Sequence, residues 1–319
     1  MATIKDVAKA ASCSISTVSY VMNNDTRIPE KTANRIKEIA HEIGYFPLAA
    51  ARRLKKKNTD TVIIAISDFG GPVYHELLNG IQYQLAKHNY TMIVSTGVSS
   101  ENLLRERSAD GAVITDIHIS DDFLLRLARN FSPIIVLDRS LSAENIYNMT
   151  INNHDVMKSF VTLMIEKGYQ KFVYVHGVNN TYDNLTRYSG FRNALEAQKI
   201  AVFKEYYGDF TENTGRLIAD SIMDNKEEFP DIYICANDET AIGMMESFQA
   251  RGFKIPDDFG VSGFDDILLA AYFNPRLSTI KINHFDWGKS IADTLVRLMQ
   301  QKSVHIEKQQ GVIVLRESV

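Results

Sequence analysis

Apolar positions follow two different rhythms along the chain. Over the first 46 residues they recur three and four apart: Ile4, Val7, Ala8 and Ala11, then Ile15, Val18, Val21 and Met22, then Ile36, Ile39, Ala40 and Ile43. That spacing lines one face of a helix. Thr3 to Asp6 has the form of a capping box opening a helix that runs to about Ala11. Ser12-Cys13-Ser14 breaks it, and Ser14 caps a second helix from Ile15 to about Asn23. A third follows Pro29 and stops at Gly44. Three short helices with a tight first turn match a helix-turn-helix, whose second helix enters the DNA major groove. A structural three-helix bundle fits the pattern alone equally well.

From Thr61 the rhythm changes to short apolar runs between helical stretches. Val62–Ile66, Met92–Val94, Ala112–Ile114 and Ile134–Leu137 form one series of strands. Phe172–Val175, Ile232–Cys235 and the stretch 260–264 form a second. Helices are expected near 75–88, 155–167, 187–199, 239–251 and 286–301. Continuous apolar strands alternating with helices read as parallel, doubly wound α/β sheets. Two series predict two lobes, with a ligand cleft where the strand ends face each other.

Charge separates the same two regions. Residues 1–57 hold 11 Lys+Arg against 5 Asp+Glu, a net of +6, so with the whole chain at -4 the remainder carries -10. A basic head on an acidic body points to a polyanion at one end only. No apolar run is long enough for a membrane span, and the start of the chain has no apolar signal-peptide core. Cys13 and Cys235 fall in different predicted units and read as reduced thiols, which places the protein in the cytoplasm.

On the second helix Ser16 and Tyr20 suit base edges and Thr17 and Asn23 suit phosphates, with Ile15 beside them as a further DNA-facing residue. Residues 47–57, ending Arg52-Arg53-Leu54-Lys55-Lys56-Lys57, would form a short, self-repelling helix that DNA phosphates could neutralise. In the body, polar groups close the strands: Asp138-Arg139, Asn237-Asp238 and Asp265-Asp266, with Arg187 at the start of a helix. Such groups grip vicinal hydroxyls, and Phe210 can stack on a sugar face. Each has an ordinary alternative, and Asn237 and Asp238 can equally cap the helix 239–251. Trp287-Gly288-Lys289-Ser290 lacks the first glycine of a phosphate loop, because Asn283 stands there. Asp68-Phe69-Gly70 has no other kinase element around it, and Gly260–Phe264 misses the nucleophile-elbow spacing. No metal, cofactor or catalytic constellation is read from the sequence, and none is expected.

Ile4-Lys5-Asp6-Val7-Ala8, Ser16-Thr17-Val18-Ser19, Asn23 and Gly44-Tyr45-Phe46-Pro47 together resemble the head of the lactose/galactose/purine repressor (LacI/GalR) family. Ala51-Arg52-Arg53-Leu54-Lys55 resembles that family's hinge. Body blocks include Arg187–Phe191, Gly208-Asp209-Phe210, Ala236–Glu239, Gly263–Asp266 and Pro275–Ile280. The resemblance implies a helix-turn-helix domain over 1–46, a hinge over 47–58, and a two-lobed body like a periplasmic binding protein over 59–319. It implies a homodimer on operator DNA, with Ala51, Leu54 and Lys55 of paired hinges in the minor groove and Leu54 wedging a base step. It also implies an effector pocket lined by Tyr74, Asp138, Arg187, Phe210, Asn237 and Asp265, holding a sugar. A nucleobase corepressor or a carbon-status partner protein is the alternative, and a cytosolic enzyme or solute-binding protein a more distant one. Two departures stand out: Leu48 replaces the usual Asn after the hinge proline, and the stretch 97–111 is short by about ten residues against the family pattern.

Overall fold

The computed structural model describes residues 2–23, 25–46 and 58–319, which divide into a unit Met1–Thr59 and a unit Asp60–Val319. The hinge positions Leu48, Ala51, Leu54 and Lys55 lie outside the described residues.

The small unit is three helices, α1 (Ile4–Ala10), α2 (Ile15–Met22) and α3 (Glu30–Glu42). Asp6 closes the start of α1, its carboxylate accepting the Thr3 backbone N–H at 2.8 Å and the Thr3 hydroxyl at 2.7 Å. Ser14 caps α2 by accepting the Thr17 amide. Gly44, at φ +68°, turns the chain after α3 so that the Tyr45 amide reaches back to the Ala40 carbonyl at 2.8 Å. Val7, Ala8, Ala11, Val18, Val21, Ile36 and Ala40 form the core. Ile15 does not join that inward face. It sits in the first turn of α2 and is 46% exposed.

The large unit contains two parallel sheets. In the first, β1 (Thr61–Ile66), β2 (Thr91–Thr96), β3 (Gly111–Thr115), β4 (Ile134–Val136) and β5 (Ile146–Asn148) stand in the order β2-β1-β3-β4-β5. In the second, β6 (Phe172–His176), β7 (Lys204–Tyr207), β8 (Ile232–Cys235) and β9 (Gly260–Ser262) stand as β7-β6-β8-β9. Every pair within both sheets is parallel, so each presents all its carboxyl ends along one edge. Strand order reverses between β1 and β3 in one sheet and between β6 and β8 in the other, leaving a crevice at each point.

The chain passes between the lobes more than once. The last helix, His284–Met299, follows second-lobe strands in sequence yet packs on helix Pro72–Lys87 of the first lobe. A Cβ added at Gly80 would lie 2.0 Å from the Phe285 carbonyl oxygen, and one at Gly288 would lie 2.3 Å from that of Leu77. The bare backbones let these helices touch, and Leu77, Ile81, Ile291 and Leu295 fill the space beneath them. After the last helix, β11 (Gly311–Val314) pairs antiparallel with β10 (Thr279–Ile282), the strand that precedes that helix. Among the described residues no helix is long and apolar enough to cross a membrane.

Candidate functional site

On the head, the exposed side of α2 carries Ile15 and Ser16, with Thr17 and Tyr20 half-buried and Asn23 exposed at its end. Thr17 Oγ1 lies 2.8 Å from Ser14 Oγ, so its hydroxyl joins the cap. Asn23 donates from Nδ2 to the Ser19 carbonyl at 2.7 Å, closing the last turn. Arg27 lies over the Tyr20 ring at 4.3 Å and is gripped by Asp25 at 2.9 and 2.6 Å, which fixes one side of that ring. The helix thus presents small hydroxyls and one aromatic beside cations, a surface suited to a DNA groove.

In the body, a cavity of about 450 Å³ lies between the lobes at both reversal points. Ser67 and Asp68 follow β1 and Thr115 ends β3; Val178 and Asn237 follow β6 and β8. Tyr74, Asp138, Arg187, Phe210, Asn237 and Asp265 all line it, two from the first lobe and four from the second. A surface pocket of about 460 Å³ lies among Arg105, Phe123 and Arg126, but within one lobe, and those arginines are held by Glu101 and Asp122. The short stretch before it forms the helix Gly97–Arg105.

Arg187 is the brace of the interlobe cavity. It sits at the sixth position of helix Tyr182–Ala197, which begins five residues earlier than expected, so Arg187 lies inside the helix and not at its start. Its Nε donates to Asn153 Oδ1 at 3.1 Å, its Nη1 to the Ala236 carbonyl at 2.6 Å, and Nη2 stands 3.5 Å from Asp265. The guanidinium also covers Phe264 at 3.7 Å. Asn237 accepts the Thr240 amide as the cap of helix Asp238–Ala250 and donates to the Phe210 carbonyl at 2.8 Å. Asn237 is therefore the cap of that helix, and it also lines the cavity. Asp238 caps nothing; it is fully buried, accepting from Thr279 at 2.6 Å and the Ile267 amide at 2.9 Å. Asp138 is chelated by Arg139 at 3.0 and 2.7 Å.

Two lining residues hold the left-handed backbone region without being glycine: Phe210 at φ 70° and Asp265 at φ 104°. Such conformations cost about 1–3 kcal/mol each and are kept by surrounding bonds, here Asn237 to the Phe210 carbonyl and the Asp265 amide to the Ile280 carbonyl at 2.8 Å. The Phe210 ring closes over Gly177, where a Cβ would lie 2.0 Å from it. Burial works to raise the Asp265 carboxyl, but Arg187 and His284 outweigh it and hold it below the ordinary value. Burial pushes Asp183 up despite Arg187, and pushes Glu239 up to about 7 with help from Asp265, Glu212 and Asp68.

Among the lining residues that the sequence reading did not name as site residues are Asp183, Glu239, His284 and Trp287. Trp287 had a signal, being the only tryptophan in the chain. His284 and Trp287 belong to the last helix, whose return to the first lobe no local pattern announces.

Residues 3–47 match the model for bacterial regulatory proteins of the lacI family, and residues 161–319 match the periplasmic binding protein-like domain. The chain is 29% identical to the HTH-type transcriptional repressor PurR of Vibrio parahaemolyticus, spanning 100% of this chain and 99% of that protein. It is 28% identical to the ribose operon repressor of Haemophilus influenzae, over 100% and 99%. Among solved structures, a sugar-binding transcriptional regulator of the LacI family from Enterococcus faecalis superposes with TM-score 0.76 at 28% identity, covering 82% of this chain and 98% of that one.

Proposed function

Since the chain belongs to the lacI family of bacterial regulatory proteins, we propose that its hold on operator DNA is set by a small sugar bound between the lobes. The carrying observation is the convergence of Tyr74, Asp138, Arg187, Phe210, Asn237 and Asp265, from both lobes, on one cavity. Residues 1–46 act as the DNA-binding domain, 47–58 as the hinge, and 59–319 as the effector-binding and dimerising body. Ile15, Ser16, Thr17, Tyr20 and Asn23 meet the major groove and its phosphates, while Ala51, Leu54 and Lys55 enter the minor groove.

A ligand touching both lobes favours one relative orientation of them, and through the hinges one DNA affinity. The sugar preference rests on the lining, which offers carboxylate and amide oxygens for hydroxyls; relatives named for ribose and for sugar binding agree with it. Phe210 and Tyr74 also present aromatic faces, which favours a flat nucleobase as the second reading. The protein acts as a cytoplasmic regulator that returns its effector unchanged and performs no catalysis. A homodimer suits a two-fold operator. The short helix Leu268–Ala271 leaves Leu268 77% and Tyr272 75% exposed, apolar surface of the kind a second copy covers.

Genome-wide mapping of bound sites would supply the operator. Anisotropy titration of that DNA, with and without ribose, cellobiose or hypoxanthine, then tests the mechanism. An operator affinity shifted by a sugar is the expected result; a sugar that binds without moving it defeats the reading.

A further inference from the structure

We propose that Trp287 and His284, at the start of the last helix, read the buried end of the effector, and that this effector is an uncharged polyol and not a phosphorylated or acidic sugar. The inference rests on the interlobe cavity being the effector site. Most polar groups there are already engaged: Arg187 with Asn153 and Ala236, Asn237 with Thr240 and Phe210, Asp138 with Arg139. Trp287 Nε1 and both ring nitrogens of His284 are different. They are buried, each residue is 6% exposed, and none has a hydrogen-bond partner among the described residues. His284 Nε2 stands 3.4 Å from Asp265 Oδ1 but outside hydrogen-bonding geometry.

Buried donors without partners destabilise a protein unless something binds them. The indole N–H can only donate, so it requires an acceptor. Each imidazole nitrogen of His284 donates or accepts according to tautomer, so the ring takes either partner from a ligand. One hydroxyl can fill either role, and two neighbouring hydroxyls fill both. Charge selects further: six carboxyl groups line the cavity against one guanidinium, that of Arg187, and beyond Asp183 and Glu239, which burial pushes up, four still face it. A phosphate or carboxylate on the ligand would enter a field of its own sign.

Trp287 is the only tryptophan, so its emission reports on the cavity alone. Calorimetry and Trp emission should be recorded with ribose, cellobiose, glucose, galactose, ribose 5-phosphate, glucose 6-phosphate and hypoxanthine. Binding by an uncharged sugar with a change in emission is expected, while the phosphate esters stay unbound. Trp287→Phe and His284→Phe, checked for folding by circular dichroism, should each weaken that sugar by roughly three- to tenfold. Should either variant fail to fold, the emission change of the unaltered chain decides. A sugar that binds with unchanged emission, and with unchanged affinity in the variants, overturns the reading pair while leaving the effector cavity standing. Binding only by phosphate esters or hypoxanthine, or by no uncharged sugar, overturns the ligand class. A sugar read by Trp287 and His284 that leaves operator affinity unmoved supports the pair and refutes the regulatory mechanism instead.

Discussion

Arg187 and Glu239 show how differently two ionisable residues in one cavity behave. Arg187 is 4% exposed and holds Asn153, the Ala236 carbonyl and Asp265 together. Replacing it by Met would leave Asp265 buried without its cation. Loss of one partner from a buried pair typically costs about 3–5 kcal/mol, and Arg187→Met should lower the unfolding free energy by that order in a urea titration. Glu239 instead keeps a proton. Its carboxyl lies at about 7 in the folded chain against an ordinary 4.5, chiefly through burial. Between those values the folded chain binds a proton that the unfolded chain has lost, so stability from this group falls as pH rises through the window. Glu239→Gln should therefore melt above the parent at pH values past about 7 and converge with it below about 4.5, as melts across pH would reveal. A difference that does not change with pH would remove Glu239 from the account.

At the scale of elements, the helix pair Pro72–Lys87 and His284–Met299 depends on missing side chains. Any Cβ at Gly80 meets the Phe285 carbonyl oxygen at 2.0 Å, so Gly80→Val forces the helices apart. Overpacking of this kind costs about 1–3 kcal/mol, and a thermal melt should register it as a lower Tm. Elements with a strong local signature were legible in the sequence: the α1 and α2 caps, the Gly44 stop and the apolar strands β1, β3, β6 and β8. Those that were not have a physical reason. β7 reads Lys-Glu-Tyr-Tyr and is an edge strand with exposed ends, so no apolar run marks it. Helix Tyr182–Ala197 opens on Tyr-Asp-Asn, polar residues that look like loop until Asn184 is seen buried, holding the Gly177 amide. Helix Glu212–Asp224 starts on similarly polar residues.

For the whole molecule, the six cavity residues named from the sequence meet in space because Asp138, Phe210, Asn237 and Asp265 follow strands, Tyr74 opens a helix, and Arg187 reaches them from inside helix Tyr182–Ala197. His284 and Trp287 stayed hidden because their place follows from a late return of the chain, a long-range fact that periodicity does not encode. Charge places a basic head on an acidic body, so operator affinity should fall steeply as salt rises, with a log–log slope that counts the phosphates neutralised. The late return also governs how the protein is born. The first lobe's strands are complete by Asn148, but the helix that covers Leu77, Ile81 and Leu85 is the stretch 284–299. A ribosome must therefore make the entire second lobe while that apolar face waits bare, and the nascent chain is exposed to aggregation throughout. Chains released after Ile282 should bind a hydrophobic dye and fall into the insoluble fraction, whereas chains released after Val319 should not. Equal solubility of the two would mean that the first lobe closes without its borrowed helix.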